Sequence, residues 1–308
     1  MNARDEWQAA LSEGRLHHAW LLSGRPGLGK RGFARSAAAE LVGGHQSPSE
    51  HPDILTLERL PKDSKEERNL AEGKPYARKR NIAVDQIRAI QRRLTTRPTL
   101  GERRAIIIDP AEAMEASAAN ALLKSLEEPP EGTFFFLLSD HAAKLLPTIR
   151  SRCRILRFGD LSDEMVAERL AQDLPDLDLA TMREAVTASG GSPGRAVAFA
   201  EHKLAPAAIL LEKMLRGQAG GGGADLAAAL GARPSPEKMA AFLGLARAML
   251  GADIARIDRA TLNRRADVMA ELVDLEREAP ILNYDPGLLI QRVASLLASA
   301  APASEHAQ

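Results

Sequence analysis

The sequence predicts an α/β domain built on a parallel sheet, followed by an all-helical remainder. Three observations carry this. Between residues 1 and 158, short apolar runs alternate with longer helix-forming stretches, the pattern of a sheet covered on both faces. A glycine-rich turn, Gly24-Arg25-Pro26-Gly27-Leu28-Gly29-Lys30, joins the first such run to the first helix-forming stretch. From Leu161 onward the strand signal ceases.

Ala19-Trp20-Leu21-Leu22-Ser23 is a short apolar run suited to a buried parallel strand, and residues 31–42 form an Ala-rich helix closed by Gly43-Gly44. Asp53-Ile54-Leu55-Thr56-Leu57 is the next strand, and the polar, charged stretch 58–80 reads as a loop or insertion. Val84, Ile87 and Leu94 fall on one face of a helix running to about Thr95. Strands follow at 104–109 and 133–138, separated by a helix over 116–128 that Pro129-Pro130 stops. A short helix at 144–150 and a last strand at 154–158 complete the first part. Segments 162–173, 178–189 and 194–203 read as helices, with Gly190-Gly191-Ser192-Pro193 as the break between the last two. Beyond Pro206 further helical runs are interrupted at 220–223 and 234–236. The glycine run reads as a flexible loop, because no strand precedes it, and 300–308 as a frayed tail.

At 308 residues the chain exceeds the usual single-domain size. Lys plus Arg and Asp plus Glu are both 41, so net charge gives no reason to expect strong non-specific binding to nucleic acid. The one cysteine, Cys153, excludes an intrachain disulfide and a multi-cysteine zinc site, which suits a reducing cytosol. No signal peptide opens the sequence and no apolar run approaches transmembrane length, so a soluble cytoplasmic protein is expected.

The glycine-rich turn carries the sharpest chemistry. Gly24, Gly27, Gly29 and Lys30 fit a loop that wraps backbone N–H groups around a polyphosphate. The next position normally supplies a hydroxyl to Mg²⁺, and here it is Arg31, which has no lone pair to offer a metal. Asp109 ends the apolar strand 106–108, where a phosphate-loop protein places the carboxylate that organises Mg²⁺. A water-polarising glutamate would follow it, but the next residue is Pro110 and the nearest acid is Glu112. Both departures argue against efficient ATP hydrolysis.

Two arginines stand out beyond the loop. Arg152, in Ser151-Arg152-Cys153, follows a short helix and could reach a neighbouring subunit's γ-phosphate; a basic surface patch with Arg150 and Arg154 is the plainer alternative. Arg195, in Gly191-Ser192-Pro193-Gly194-Arg195, starts a helix and could touch a phosphate bound between two domains.

An ordered set of motifs sharpens this reading. Gly14-Arg15-Leu16-His17-His18-Ala19, the phosphate loop, His51-Pro52-Asp53, Asp85-Gln86-Ile87-Arg88, Ile108-Asp109-Pro110-Ala111-Glu112-Ala113-Met114, the run Asn120 to Pro130, and Ser151-Arg152-Cys153 occur in sequence. Together they resemble the clamp-loader delta prime family, AAA+ proteins related to the gamma/tau subunits of bacterial DNA polymerase III. The resemblance spans residues 5–200, and Leu282-Asn283-Tyr284-Asp285-Pro286 is similar to a motif near that family's C-terminus.

The resemblance implies a RecA-like AAA+ domain at 1–160, a small helical lid at 161–204, an all-α collar at 205–300 and a disordered tail at 301–308. It implies a five-subunit ring with gamma/tau and delta that opens a sliding clamp and loads it on primed DNA. Arg152 would act in trans at a neighbour's ATP site, while Gly24, Gly27, Gly29, Lys30, Arg31 and Asp109 would form a vestigial ATP pocket. Ser139 would be the polar sensor ending a strand, and Arg195 the lid arginine.

Two departures stand out. Many members carry a four-cysteine zinc module before the His-Pro-Asp motif, but 43–50 contains no cysteine, and His45 and His51 cannot replace four thiolates, so no zinc is expected. The charged stretch 58–80 matches no family role and reads as solvated. The competing readings are a free-standing phosphate-loop ATPase or kinase, and a DNA-binding protein using Arg88, Arg92, Arg93, Arg97, Arg103 and Arg104, which a solvated basic helix face explains more simply.

Overall fold

The computed structural model describes residues 3–43, 51–74, 76–218, 222–252, 257–282 and 284–302. Gly44, His45, Gly220, Gly221, Asn283 and the tail residues 303–308, on which parts of the sequence reading fall, lie outside them. The chain forms two compact units, Met1–Gly159 and Asp160–Gln308.

The first unit contains α1 (Ala3–Ser12), β1 (Ala19–Ser23), α2 (Lys30–Val42), β2 (Ile54–Leu57), α3 (Ser64–Ala71), α4 (Val84–Leu94), β3 (Arg104–Ile108), α5 (Ala116–Glu127), β4 (Thr133–Ser139), α6 (Pro147–Arg150) and β5 (Arg154–Arg157). The five strands form one sheet in the order β2-β3-β4-β1-β5, with every pair parallel. The expected parallel sheet is therefore present. Alternate strand residues face opposite sides, which is why the central strands β1, β3 and β4 read as nearly continuous apolar runs. Leu21, Ile106, Ile108, Phe135 and Leu137 pack with Ile87 of α4 and Leu122 of α5. Trp20, Ile107, Phe136 and Leu156 pack on the other side with Trp7 of α1 and Ala34, Ala38 and Leu41 of α2.

Three sequence expectations need correction here. The stretch 58–80 is not a plain loop: it holds α3, whose N-cap Asp63 accepts from the N–H groups of Lys65 and Glu66, and its flanks meet in an antiparallel bridge between Pro61 and Arg78. Nothing in α3 is buried, so no apolar period announces it. The expected helix at 144–150 is a 3₁₀ turn, Ala142–Lys144, followed by α6, which starts at Pro147. Arg104 is 2% exposed, not part of a solvated basic face.

The second unit is helical throughout its described residues: α7 (Asp163–Asp173), α8 (Leu179–Ser189), α9 (Pro193–Glu201), α10 (Ala205–Leu215), α11 (Gly222–Leu230), α12 (Pro236–Leu250), α13 (Arg259–Leu282) and α14 (Pro286–Ser299). Side-chain caps fix the starts of α7, α8, α9, α12 and α14, where Ser162, Asp178, Ser192, Ser235 and Asp285 accept backbone N–H groups. Val166, Phe199, Leu211, Phe242 and Val293 belong to one shared core. The glycine run is also corrected in part. Gly222 and Gly223 open α11, and a Cβ at either would collide with Met214 or Gln291. Among the described residues no helix is long and apolar enough to cross a membrane.

Candidate functional site

The carboxyl ends of β1, β3 and β4 converge on the glycine-rich loop, the usual place for a site in an open parallel sheet. The loop runs from Gly24 to α2, with Gly27 at φ 80° and Gly29 at φ 82°, backbone that L side chains rarely adopt. Gly24 has a second role: a Cβ there would lie 2.8 Å from the Cβ of Phe158, just past β5, and closer still to its carbonyl oxygen. The loop's first glycine is thus required by packing, with or without a ligand.

Two of the loop's cations, Lys30 and Arg31, are engaged within the chain. Lys30 is 7% exposed, and its Nζ donates to the carbonyls of Gly24 (2.6 Å) and Arg25 (2.8 Å) and pairs with Asp140 Oδ1 (2.7 Å). Three partners use all three ammonium donors. Arg31 donates from Nε to Asp109 Oδ2 at 2.6 Å and reaches Glu58 Oε1 from Nη1 at 3.2 Å. Glu58 also pairs with Arg78 at 2.5 Å, tying the excursion that carries α3 to this network. Glu112 Oε1 accepts from the N–H of Asp140 (2.9 Å) and His141 (3.3 Å). Burial, and secondarily the neighbouring Arg78, lower the pKa of Arg59 against the opposing pull of Asp109, Glu112 and Glu58.

These residues do not fit a magnesium-bound nucleotide. The carboxylate that would hold the metal is occupied by a guanidinium, and Mg²⁺ demands near-octahedral oxygen ligation that an arginine cannot supply. Among the described residues no group of three or more His, Cys, Asp or Glu is arranged to hold a metal ion. What remains is a phosphate-type loop in which the charges of Lys30 and Arg31 are met by the chain's own carboxylates.

Ser139, the last residue of β4, is fully buried; its carbonyl accepts from Gly24 N–H (3.2 Å) and its Oγ from His141 N–H (3.1 Å). The fold therefore brings Gly24, Gly27, Gly29, Lys30, Arg31, Asp109 and Ser139 to one end of one sheet. Arg195 lies in the second unit, in the first turn of α9, where its N–H donates to Ser192 Oγ at 3.4 Å.

Arg152 sits elsewhere. It follows α6 and precedes β5, so it lies at the amino end of a strand whose neighbour, β1, delivers the loop from its carboxyl end. A four-residue strand separates those ends by about 13 Å, so Arg152 is directed away from its own loop. Its Nη1 donates to Thr148 O (2.9 Å) and Nη2 pairs with Glu127 Oε1 (2.5 Å). The flanking basic residue Arg154 is occupied differently, pairing with Glu6 at 3.0 Å and covering the Trp20 ring at 5.1 Å. Burial pushes the Cys153 thiol up to about 12, despite arginines on both sides in sequence.

Sequence reasoning missed Asp140 as the partner of Lys30 and Glu58 as the second partner of Arg31. Both stand immediately after a strand, Glu58 after β2 and Asp140 after β4, and that position was the available signal.

The family described as "DNA polymerase III, delta subunit" matches residues 1–162. DNA polymerase III subunit delta′ of Pseudomonas aeruginosa is 36% identical over 210 residues, covering 61% of this chain and 58% of that protein. The Escherichia coli protein of the same name is 30% identical over 206 residues, covering 62% of this chain and 57% of its own. The chain thus spans less than two thirds of the length of either relative. Among solved structures, a DNA polymerase III gamma subunit-related protein from Thermotoga maritima shares the fold, with a TM-score of 0.53 at 18% identity over 97% of this chain and 99% of that one.

Proposed function

We infer, since the chain belongs to the DNA polymerase III delta-subunit family, that it works as the delta prime subunit of a clamp loader, a largely non-hydrolysing AAA+ subunit that presents Arg152 in trans to a neighbour's ATP site. The observation that carries this reading is the placement of Arg152 and Lys30 at opposite ends of the same parallel sheet. An arginine that cannot serve its own loop is available to the loop of an adjacent subunit, where a guanidinium supports the charge that develops on phosphoryl transfer. The internal pairing of Lys30 and Arg31 supports the other half of the reading, a vestigial ATP pocket without turnover.

On this reading 1–160 is the AAA+ domain, with 161–204 a lid carrying Arg195 and 205–300 a collar that joins a five-subunit cytoplasmic ring with gamma/tau and delta. Sliding clamp and primed DNA are engaged through that ring. The test is reconstitution of the ring with and without this chain, followed by clamp loading on primed DNA. Loading that depends on this chain is expected. Full loading in its absence, or ordinary ATP turnover by the isolated chain, favours a free-standing ATPase or kinase instead.

A further inference from the structure

We propose that Glu127 is a positioning residue that parks Arg152 against its own subunit, so that the guanidinium must leave a carboxylate before it engages a neighbour's phosphate. The proposal rests on the trans-acting role of Arg152 inferred above.

Four observations carry it. First, Arg152 is folded back: Nη1 bonds the carbonyl of Thr148, four residues earlier in α6, while Nη2 meets Glu127 Oε1 at 2.5 Å. Second, both anchors are stiff. Glu127 is the last residue of α5, which Pro129 and Pro130 prevent from continuing, and α6 begins at Pro147. Third, a carboxylate at the carboxyl end of a helix is on the unfavourable side of the helix dipole, so Glu127 is not explained by helix stability. Arg152 neutralises it.

Fourth, the contact is weak by construction. Arg152 is 34% and Glu127 48% exposed, and an ion pair so open to solvent biases a conformational equilibrium by only about two- to fivefold. A doubly charged phosphate group in a water-poor interface offers a planar guanidinium two charge-assisted bonds and outcompetes a solvated carboxylate. The arrangement therefore holds the arginine back modestly in a ring whose neighbouring site is empty and yields when that site fills.

The experiment uses the reconstituted ring and reads clamp- and DNA-stimulated ATP hydrolysis at ATP well below KM, where most neighbouring sites are empty. Glu127→Gln is nearly isosteric and removes only the charge; it is expected to raise turnover about two- to fivefold. The double variant Glu127→Gln/Arg152→Ala is expected to match Arg152→Ala alone, since the gain passes through the released arginine. Glu128→Gln, one residue on, is the control for loss of a local negative charge and is expected to leave turnover as in the wild type. Unchanged or reduced turnover in Glu127→Gln, or an equal rise in Glu128→Gln, overturns the parking role while leaving the trans-acting role intact. Wild-type turnover in Arg152→Ala overturns the trans-acting reading itself, and the two failures are told apart by that single variant.

Discussion

Arg31 Nε lies 2.6 Å from Asp109 Oδ2, so the residue standing where a metal-binding hydroxyl belongs is paired with the carboxylate that would have organised the metal. The missing hydroxyl and the masking of the metal-organising carboxylate are therefore one interaction, and Pro110 is a separate departure. The isolated chain is expected to show no ATP turnover above background in a steady-state phosphate-release assay. A rate in the usual enzyme range of about 1 to 1000 per second contradicts this. Arg31→Ser alone is expected not to restore hydrolysis, because Pro110 still follows Asp109 where a water-polarising glutamate belongs.

A buried ion pair makes the stability of the first unit sensitive to acid. Asp53 is fully buried and accepts from the N–H of Thr99 (2.7 Å) and Leu100 (2.9 Å), with Arg104 Nη2 at 3.3 Å. Burial alone would raise the Asp53 pKa, but the Leu100 and Thr99 hydrogen bonds and the Arg104 charge together hold it below its ordinary 3.8. A carboxyl with a depressed folded pKa contributes stability that is fully present above the unfolded value and is lost as pH falls through the folded one. Unfolding titrations should show that loss setting in below about pH 4, and Asp53→Asn should flatten that part of the profile. Arg104→Ala, which strands the carboxylate, should cost about 3–5 kcal/mol at neutral pH. An Arg104→Ala chain as stable as wild type contradicts the assignment.

Cys153 is flanked by Arg152 and Arg154, a setting that in sequence suggests an activated thiolate, yet burial pushes its thiol up to about 12. Native protein should react with a thiol-specific disulfide reagent at pH 8 far more slowly than protein unfolded in denaturant. Equal rates in the two states contradict that burial.

Gly24 and Gly32 separate packing from phosphate binding. Gly24→Ala forces a Cβ against Phe158 and is expected to cost about 1–3 kcal/mol without any nucleotide. Gly32 lies within α2 with nothing within 4 Å of a Cβ, so Gly32→Ala is expected to stabilise by about 0.5–1 kcal/mol. Thermal unfolding of both variants without ligand reads the contrast, and equal shifts in the same direction would refute it.

The sheet was legible because its central strands are buried on both sides, which leaves uninterrupted runs such as Ile106-Ile107-Ile108. Helix α3 was not, because its order comes from the Asp63 cap and the Pro61–Arg78 bridge, neither of which leaves an apolar period. Arg104 read as one more member of a basic run, since its burial depends on an aspartate 51 residues away. At the site, Lys30, Arg31 and Asp109 were legible from the loop and the strand end. Their partners were not: Asp140 and Glu58 acquire their roles only when parallel strands bring three separate strand ends together.

The most direct test of the account is clamp- and DNA-stimulated ATP hydrolysis by a reconstituted ring carrying Arg152→Ala. The substitution removes a half-exposed side chain, so folding and ring assembly should be preserved, which size-exclusion chromatography would establish. Hydrolysis by the adjacent motor subunit should fall, by up to roughly 10³- to 10⁵-fold for a full arginine finger. Arg152→Lys should rescue it poorly, because an ammonium cannot reproduce the planar fork on phosphate oxygens. Wild-type hydrolysis and clamp loading in an intact ring with Arg152→Ala would contradict the trans-acting role and return Ser151-Arg152-Cys153 to a basic surface turn.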